Sequence, residues 1–352
     1  MKKSALILLA LCACLLSACG KSDDRLSGKV VETSVNDSVG LVSFVVRTDE
    51  NKEVGILLTD EMSVGVLVDG MVTKDFLSGT RSDVLVSVEY DRSQRTLTRK
   101  DGTQITAYNA KRVDVTGYRK DDVILSGGAA VECWQESSGV SYVLPDGTEL
   151  LTVETPFGPK NVYVGGQESL DDLSESVQEK VIAYFDAQGL LYDETTELER
   201  AYADYCADSA AFIKHHVSQD VTPIASSEKV MYFLTDVSIP SDRPREQKEL
   251  RLGTAFDRET GEVIDNASLF SCPAYEAERE LLKLSQTGDA SLQEELEQAF
   301  DWNNILFFPE SLEINYPEGT LKSQEHSYLI GLDYDDALLS ILNDWAVPTN
   351  GK

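Results

Sequence analysis

Histidine is nearly missing from this 352-residue chain: there are three. A metal enzyme built on several imidazoles is therefore not expected. Basic residues are also scarce, with 31 Lys+Arg against 61 Asp+Glu and a net charge of −30. Nucleic acid is excluded as a partner, because polyphosphate binding needs clustered cations that release counterions. Electrostatic docking on anionic lipid is excluded for the same reason. Proline is sparse, at 10 residues, while 42% of residues are hydrophobic and 26% charged, a globular rather than a disordered composition. The six cysteines form no CxxC pair, which removes zinc ribbons and thioredoxin-type sites. GxSxG, Walker A, HExxH, GxGxxG and EF-hand patterns are all absent, so no cofactor and no catalytic residue is expected. The length exceeds what one core usually fills, so two domains are expected.

The N-terminus carries a location. Met1-Lys2-Lys3 is basic, and Ser4 to Leu16 is an apolar run of signal-peptide length, too short for a spanning helix. It ends in Leu16-Ser17-Ala18-Cys19-Gly20, which resembles the bacterial lipobox. The resemblance implies cleavage after residue 18, a diacylglycerol on the thiol of Cys19, and a short tether over 19–25. Two acyl chains would hold the protein stably at a membrane surface, facing outside the cytoplasm. An ordinary secretory signal with Cys19 in a disulfide is the weaker alternative. Beyond Cys19, the cysteines left in this oxidising compartment are Cys133, Cys206 and Cys272. One disulfide or three small hydrophobes are both open readings.

From Leu26 to about Tyr118 short β-rich runs alternate with turn signals: Gly28–Val35, Val39–Thr48, Glu53–Leu58, Asp83–Tyr90 and Thr103–Val115. In the fourth run Val84, Val86 and Val88 share one face and Leu85, Ser87 and Glu89 the other. Five strands with a looser link over 60–79 suit a small Greek-key barrel of OB type over 26–118. It resembles the OB-like domains of Gram-positive surface lipoproteins. Acidic and basic residues nearly balance here, so a spacer is expected rather than a single-strand binder.

Residues 119–352 hold 45 acidic and 16 basic residues, a net −29. That step supports a boundary near Tyr118. The excess acid either solvates the surface or faces a basic partner. Ser169 is a candidate cap for a helix with Leu170, Leu173, Val177, Val181, Ile182 and Phe185 on one stripe, ended by Gly189. A second stripe takes in Leu198, Tyr202, Tyr205, Cys206 and Phe212. Strands are expected at Ile213–Pro223, Val230–Ile239 and Leu250–Phe256, with a polar hairpin loop at Pro240–Gln247, then helices at Tyr275–Leu284 and Ser291–Phe300.

Thr254-Ala255-Phe256-Asp257, Glu259-Thr260-Gly261 and Leu269-Phe270 follow in order, then Asn304 to Pro317 and Tyr328-Leu329-Ile330-Gly331-Leu332. This order resembles the extracellular domain of the RsiV family, over roughly residues 134–345. The resemblance implies an α+β domain over 119–352, with an antiparallel sheet and helices. It also implies non-catalytic binding of a basic protein such as lysozyme at the envelope. The family's anti-sigma members carry a cytoplasmic domain and a spanning helix; everything after Cys19 is expected outside, so no sigma factor is expected to be held. By the position of the family's ligand loop, Tyr316 and Pro317 would be anchors, and Glu318 and Glu325 would face the partner's basic residues. A cell-wall glycan binder or glycan-processing enzyme is the alternative.

The remaining chemistry-bearing groups read as structural. His215 and His216 are adjacent and on a strand would point to opposite faces, so they cannot chelate one ion from it. Asp333, Asp335 and Asp336 read as a helix cap rather than a calcium site. Glu310 and Glu313 lie too close along one hairpin to make a glycosidase pair.

Overall fold

The computed structural model describes residues 24–348 except 37, 80, 82, 155–169, 244 and 286. The signal segment, Cys19 and the cap expected at Ser169 lie outside the described residues. The chain divides into two compact units, one of residues 1–121 with 133–137, the other of 122–132 with 138–352.

The first unit is a closed five-strand barrel. Its strands are β1 (Arg25–Asn36), β2 (Gly40–Arg47), β3 (Glu53–Leu57), β5 (Val84–Tyr90) and β7 (Gln104–Arg119). They close in the order β1-β2-β3-β7-β5-β1, with β3 and β7 parallel and every other pair antiparallel. Closure removes the exposed edges of an open sheet. It is possible because the 16-residue β7 meets β3 along its first half and β5 along its second. The alternation in β5 has the expected outcome: Val84, Val86 and Val88 are buried, while Leu85 and Ser87 are only half-buried. Each valine so buried contributes about 1.5–3 kcal/mol. The link between β3 and β5 is less loose than its sequence suggests. It holds β4 (Ser63–Val66), parallel to β7, and the short helix α1 (Thr73–Leu77), whose Phe76 meets Phe44 edge-on at 5.7 Å. A further strand, β6 (Arg95–Thr98), makes a hairpin with β7. At Gly28 any side chain would collide with the backbone, since a Cβ would stand 2.1 Å from the carbonyl oxygen of Arg47.

β8 (Val123–Ile124) pairs with the start of β9 (Ala130–Glu136), whose last residues pair with β7. The second unit is mixed α+β. β10 (Gly139–Val143) and β11 (Glu149–Glu154) form a hairpin, and β11 runs parallel to β12 (His215–Ser226). From there β12, β13 (Val230–Pro240), β14 (Gln247–Asp257) and β15 (Val263–Ile264) are antiparallel. The chain between β11 and β12 holds α2 (Glu175–Gln188) and α3 (Glu194–Ala207). The period-2 pattern of β13 separates two cores. Met231 and Phe233 meet Val177, Val181 and Phe185 of α2 on one face. On the other, Val230, Tyr232 and Leu234 join α4 (Ala274–Leu284), α5 (Ala290–Ala299) and a second sheet. That sheet is β16 (Ile305–Phe307), β17 (Ser311–Tyr316) and β18 (Tyr328–Asp333), followed by α6 (Asp336–Leu339). Tyr232 stacks on Phe307 at 4.7 Å.

Several boundaries move. A 3-10 turn at Leu170–Asp172 precedes α2, which begins at Glu175 after Ser174, so the first stripe is not one helix. Leu170 and Leu173 still reach the core, but Ile182 is largely exposed. The second stripe ends at Ala207, leaving Phe212 in a loop. The Phe-Asp…Thr-Gly motif is a tight turn: the Asp257 carboxylate accepts from the backbone N–H groups of Glu259 and Thr260, and Gly261 takes φ +69°. Asp335 caps α6 through the N–H groups of Ala337 and Leu338. No disulfide joins Cys133, Cys206 and Cys272 to one another: the first is buried, the second exposed, the third half-buried. Among the described residues no helix is long and apolar enough to cross a membrane.

Candidate functional site

A cleft of the second unit lies between α3, the loop after it, and the turn from β13 to β14. Its volume is about 560 Å³, and it is lined by Arg200, Asp204, Phe212, His215, Arg243 and Arg245 among others. Helical spacing places Arg200 and Asp204 along one face of α3, with Asp208 just past its end, since residues four apart are neighbours on a helix. Arg200 joins the helix to the turn. Its guanidinium donates to the carbonyl oxygens of Pro240 (2.7 Å) and Ser241, and to the Asp242 carboxylate at 3.0 Å. Pro240 ends β13 and Ser241 opens the turn, so the arginine clamps the turn to α3 through two backbone acceptors.

Phe212 and His215 form an aromatic wall. Their rings stack at 6.0 Å with 26° between planes, and Tyr205 meets Phe212 edge-on at 5.5 Å. The His215 side chain is 11% exposed, and its Nε2 stands 3.1 Å from Asp204 Oδ2. Burial holds this imidazole below its ordinary pKa, with Asp204 opposing. Its Nδ1 is buried without a hydrogen-bond partner. One turn before Arg200, Glu197 has a 10% exposed side chain, and burial pushes its carboxyl above the ordinary range. His216 points to the opposite side of the strand, more exposed, with Nε2 3.9 Å from Glu154. Among the described residues no group of His, Cys, Asp and Glu is arranged to hold a metal ion.

The four loop residues singled out from the sequence have different fates. Tyr316 is 1% exposed and lies in the core among Leu312, Ile314 and the helices, so its ring is not an anchor on the surface. Its position follows from alternation along β17, which puts Leu312, Ile314 and Tyr316 on one face. Burial raises its hydroxyl pKa, and the hydroxyl has no hydrogen-bond partner. Pro317 is half-buried and opens a turn, its carbonyl accepting from Thr320 N (3.1 Å) and Oγ1 (2.7 Å). Glu318 faces inward to the cleft's rim: it accepts from Ser241 Oγ at 2.8 Å and from Arg243 at 3.2 Å. Glu325 alone is exposed. Arg243 also meets Glu246 at 2.7 Å and His326 Nδ1 at 2.7 Å, so loop 317–327 is tied to the β13–β14 turn. Farther on, Ser323 donates to Glu295 of α5, and Leu321 is buried.

Elsewhere Glu313 pairs with Arg251 at 3.0 Å while Glu310 is exposed, so the two do not converge. The cleft itself has weak signals in the sequence. Arg200 is the one basic residue on the acidic helix α3, and Phe212 follows the last residue of that helix closely.

No family model and no curated protein matches this chain. Among solved structures, it is similar to a DUF3298 family protein from Pseudomonas aeruginosa PAO1, at 11% identity and a TM-score of 0.29, over 42% of this chain and 71% of that one. It is also similar to a member of the same family from Bacteroides fragilis NCTC 9343, at 12% identity and a TM-score of 0.35, over 73% of this chain and 94% of that one. Likeness of this degree bears on neither mechanism nor ligand.

Proposed function

We propose that the protein is a lipid-anchored, non-catalytic binding protein of the bacterial envelope. In this reading an OB-type barrel serves as spacer. An RsiV-like acidic unit offers loop 317–327 and the β13–β14 turn as one ledge to a basic protein such as a lysozyme. The barrel's strand order, with β3 and β7 parallel, supports the OB-type assignment. The observation that carries the binding reading is the tying of the loop through Glu318, Arg243 and His326. A loop already ordered loses little entropy on binding, so more of the contact energy appears as affinity. Opposite fields would steer the encounter of a −30 protein with a cationic one.

Two measurements test this. Cys19→Ala should leave the protein unprocessed or release it from the membrane fraction; normal processing with retained membrane association would remove the anchor. Surface-captured protein should bind a lysozyme with an on-rate that falls as salt rises. Glu325→Lys should lower that rate further without moving the melting temperature. Absence of binding to several lysozymes at low salt would reject the basic partner.

A second reading, a binder of wall glycan, is favoured by the aromatic wall of Phe212 and His215 inside a cleft of small-molecule size.

A further inference from the structure

The cleft's charges are almost all committed. Asp204 is held at His215 and Asp242 at Arg200. Glu246 is held at Arg243, while Asp208 accepts from the backbone N–H groups of Ala210 and Ala211. Of the cations, Arg200 is taken by two carbonyls and Asp242, Arg243 by Glu246, Glu318 and His326, and Lys214 by Glu149 at 2.6 Å. Arg245 is different. Among the described residues it makes no ion pair, in a unit where acids outnumber bases nearly three to one, and it is exposed at the cleft. Its backbone sits at φ +69°, a left-handed conformation that a side chain other than glycine's, asparagine's or aspartate's adopts at a cost.

We infer that this cleft binds a sugar acid, a hydroxylated ring carrying a carboxylate, with Arg245 as the cation that receives the carboxylate. The inference rests on the glycan reading and sharpens it. A guanidinium presents a planar fork of N–H donors that matches a carboxylate in bidentate fashion. Phe212, with the half-exposed Ile213 beside it, offers an apolar face for the C–H side of a ring. The His215 ring, stacked on Phe212 at 6.0 Å, extends that face. The volume of about 560 Å³ admits one or two sugar rings. A neutral sugar would leave Arg245 unused, and a small acid without a ring would leave the Phe212 and His215 face unused, so the set of groups favours a ligand with both features.

Titration calorimetry on the full mature chain would compare glucuronic acid, N-acetylmuramic acid and the neutral N-acetylglucosamine. A pull-down on purified peptidoglycan would run beside it. The acids should bind at least roughly tenfold more tightly than the neutral sugar. Arg245→Gly should abolish that preference. This variant removes the guanidinium and relaxes the backbone together, so its melting temperature should not fall. Phe212→Ala should weaken acid and neutral sugars alike. Retention on peptidoglycan that disappears with Arg245→Gly would place the ligand in the wall, and binding of the free acids alone would place it in solution; both support the site. Equal affinity for acidic and neutral sugars, or an unchanged preference in Arg245→Gly, would overturn the inference and leave the glycan reading standing. Binding of no sugar would overturn both.

Discussion

Each unit contains an arginine that ties distant segments together, and the two are held by opposite chemistry. In the barrel, Arg99 lies between two carboxylates, Glu32 at 2.9 Å and Glu53 at 2.5 Å, and Glu53 also takes Arg47 at 2.8 Å. The Lys100 backbone N–H, and then the Arg99 guanidinium, hold the Glu32 carboxyl below its ordinary pKa. In the second unit, Arg200 is held mainly by backbone carbonyls, although carboxylates are abundant there. The barrel pairs charge with charge, as its near balance allows. The acidic part has 45 acids for 16 bases, so although Arg243, Arg251 and Arg279 pair with carboxylates there, most carboxylates depend on solvent, and Arg200 is spent chiefly on backbone acceptors. Charge is thus an adhesive in one unit and a self-repulsive load in the other.

The strongest way to break this contrast is Arg200→Ala. It strands the Pro240 and Ser241 carbonyls and frees the turn from α3. A loss of about 2 kcal/mol is expected, read as a fall of about 4–8 °C in the melting temperature of the second unit. Arg99→Ala should cost less, because the bridge is partly solvated and surface pairs contribute little. Trp134 reports the barrel and Trp302 with Trp345 the other unit, so intrinsic fluorescence of the variant Trp302→Phe/Trp345→Phe would isolate the barrel's transition. A fall for Arg99→Ala as large as that for Arg200→Ala would remove the contrast.

Glu197→Gln sharpens the same comparison with the opposite sign. The folded carboxyl is raised above its ordinary value of 4.5, chiefly by burial. Its charge therefore destabilises the fold above the folded pKa, and the penalty disappears as pH falls below the unfolded value. The variant should be more stable than the parent by about 1 kcal/mol at pH 7 and equal to it near pH 4. Thermal melts at the two pH values check this, and a destabilised variant at pH 7 would show that the ionised group is compensated. The smallest effect is expected from added salt. Screening should raise the melting temperature of the acidic unit slightly and leave the barrel unchanged or lower. Shifts of the same sign in both units would show that repulsion is not what distinguishes them.

How much of this was legible varies with the range of the interaction. The barrel strands were readable because their alternation is a local property of two-residue period, and Val84, Val86 and Val88 are all buried as that period requires. The same period along Leu312, Ile314 and Tyr316 places the tyrosine in the core, whatever its position beside a loop. The cleft was not legible. Arg200 meets Pro240 across 40 residues, Ser241 meets Glu318 across 77, and Arg243 meets His326 across 83. No periodicity spans such distances.

Composition and local order alone determined the charge step between the two parts, the strands of the barrel, the amphipathic helices and the cysteine motif at residue 19, because each depends on neighbours in the chain. Which carboxylates are paired, which base is left without a partner, and whether a tyrosine faces solvent or core were decided only by the tertiary structure. Those outcomes depend on through-space distances of a few ångströms, over which electrostatic and hydrogen-bond energies change steeply.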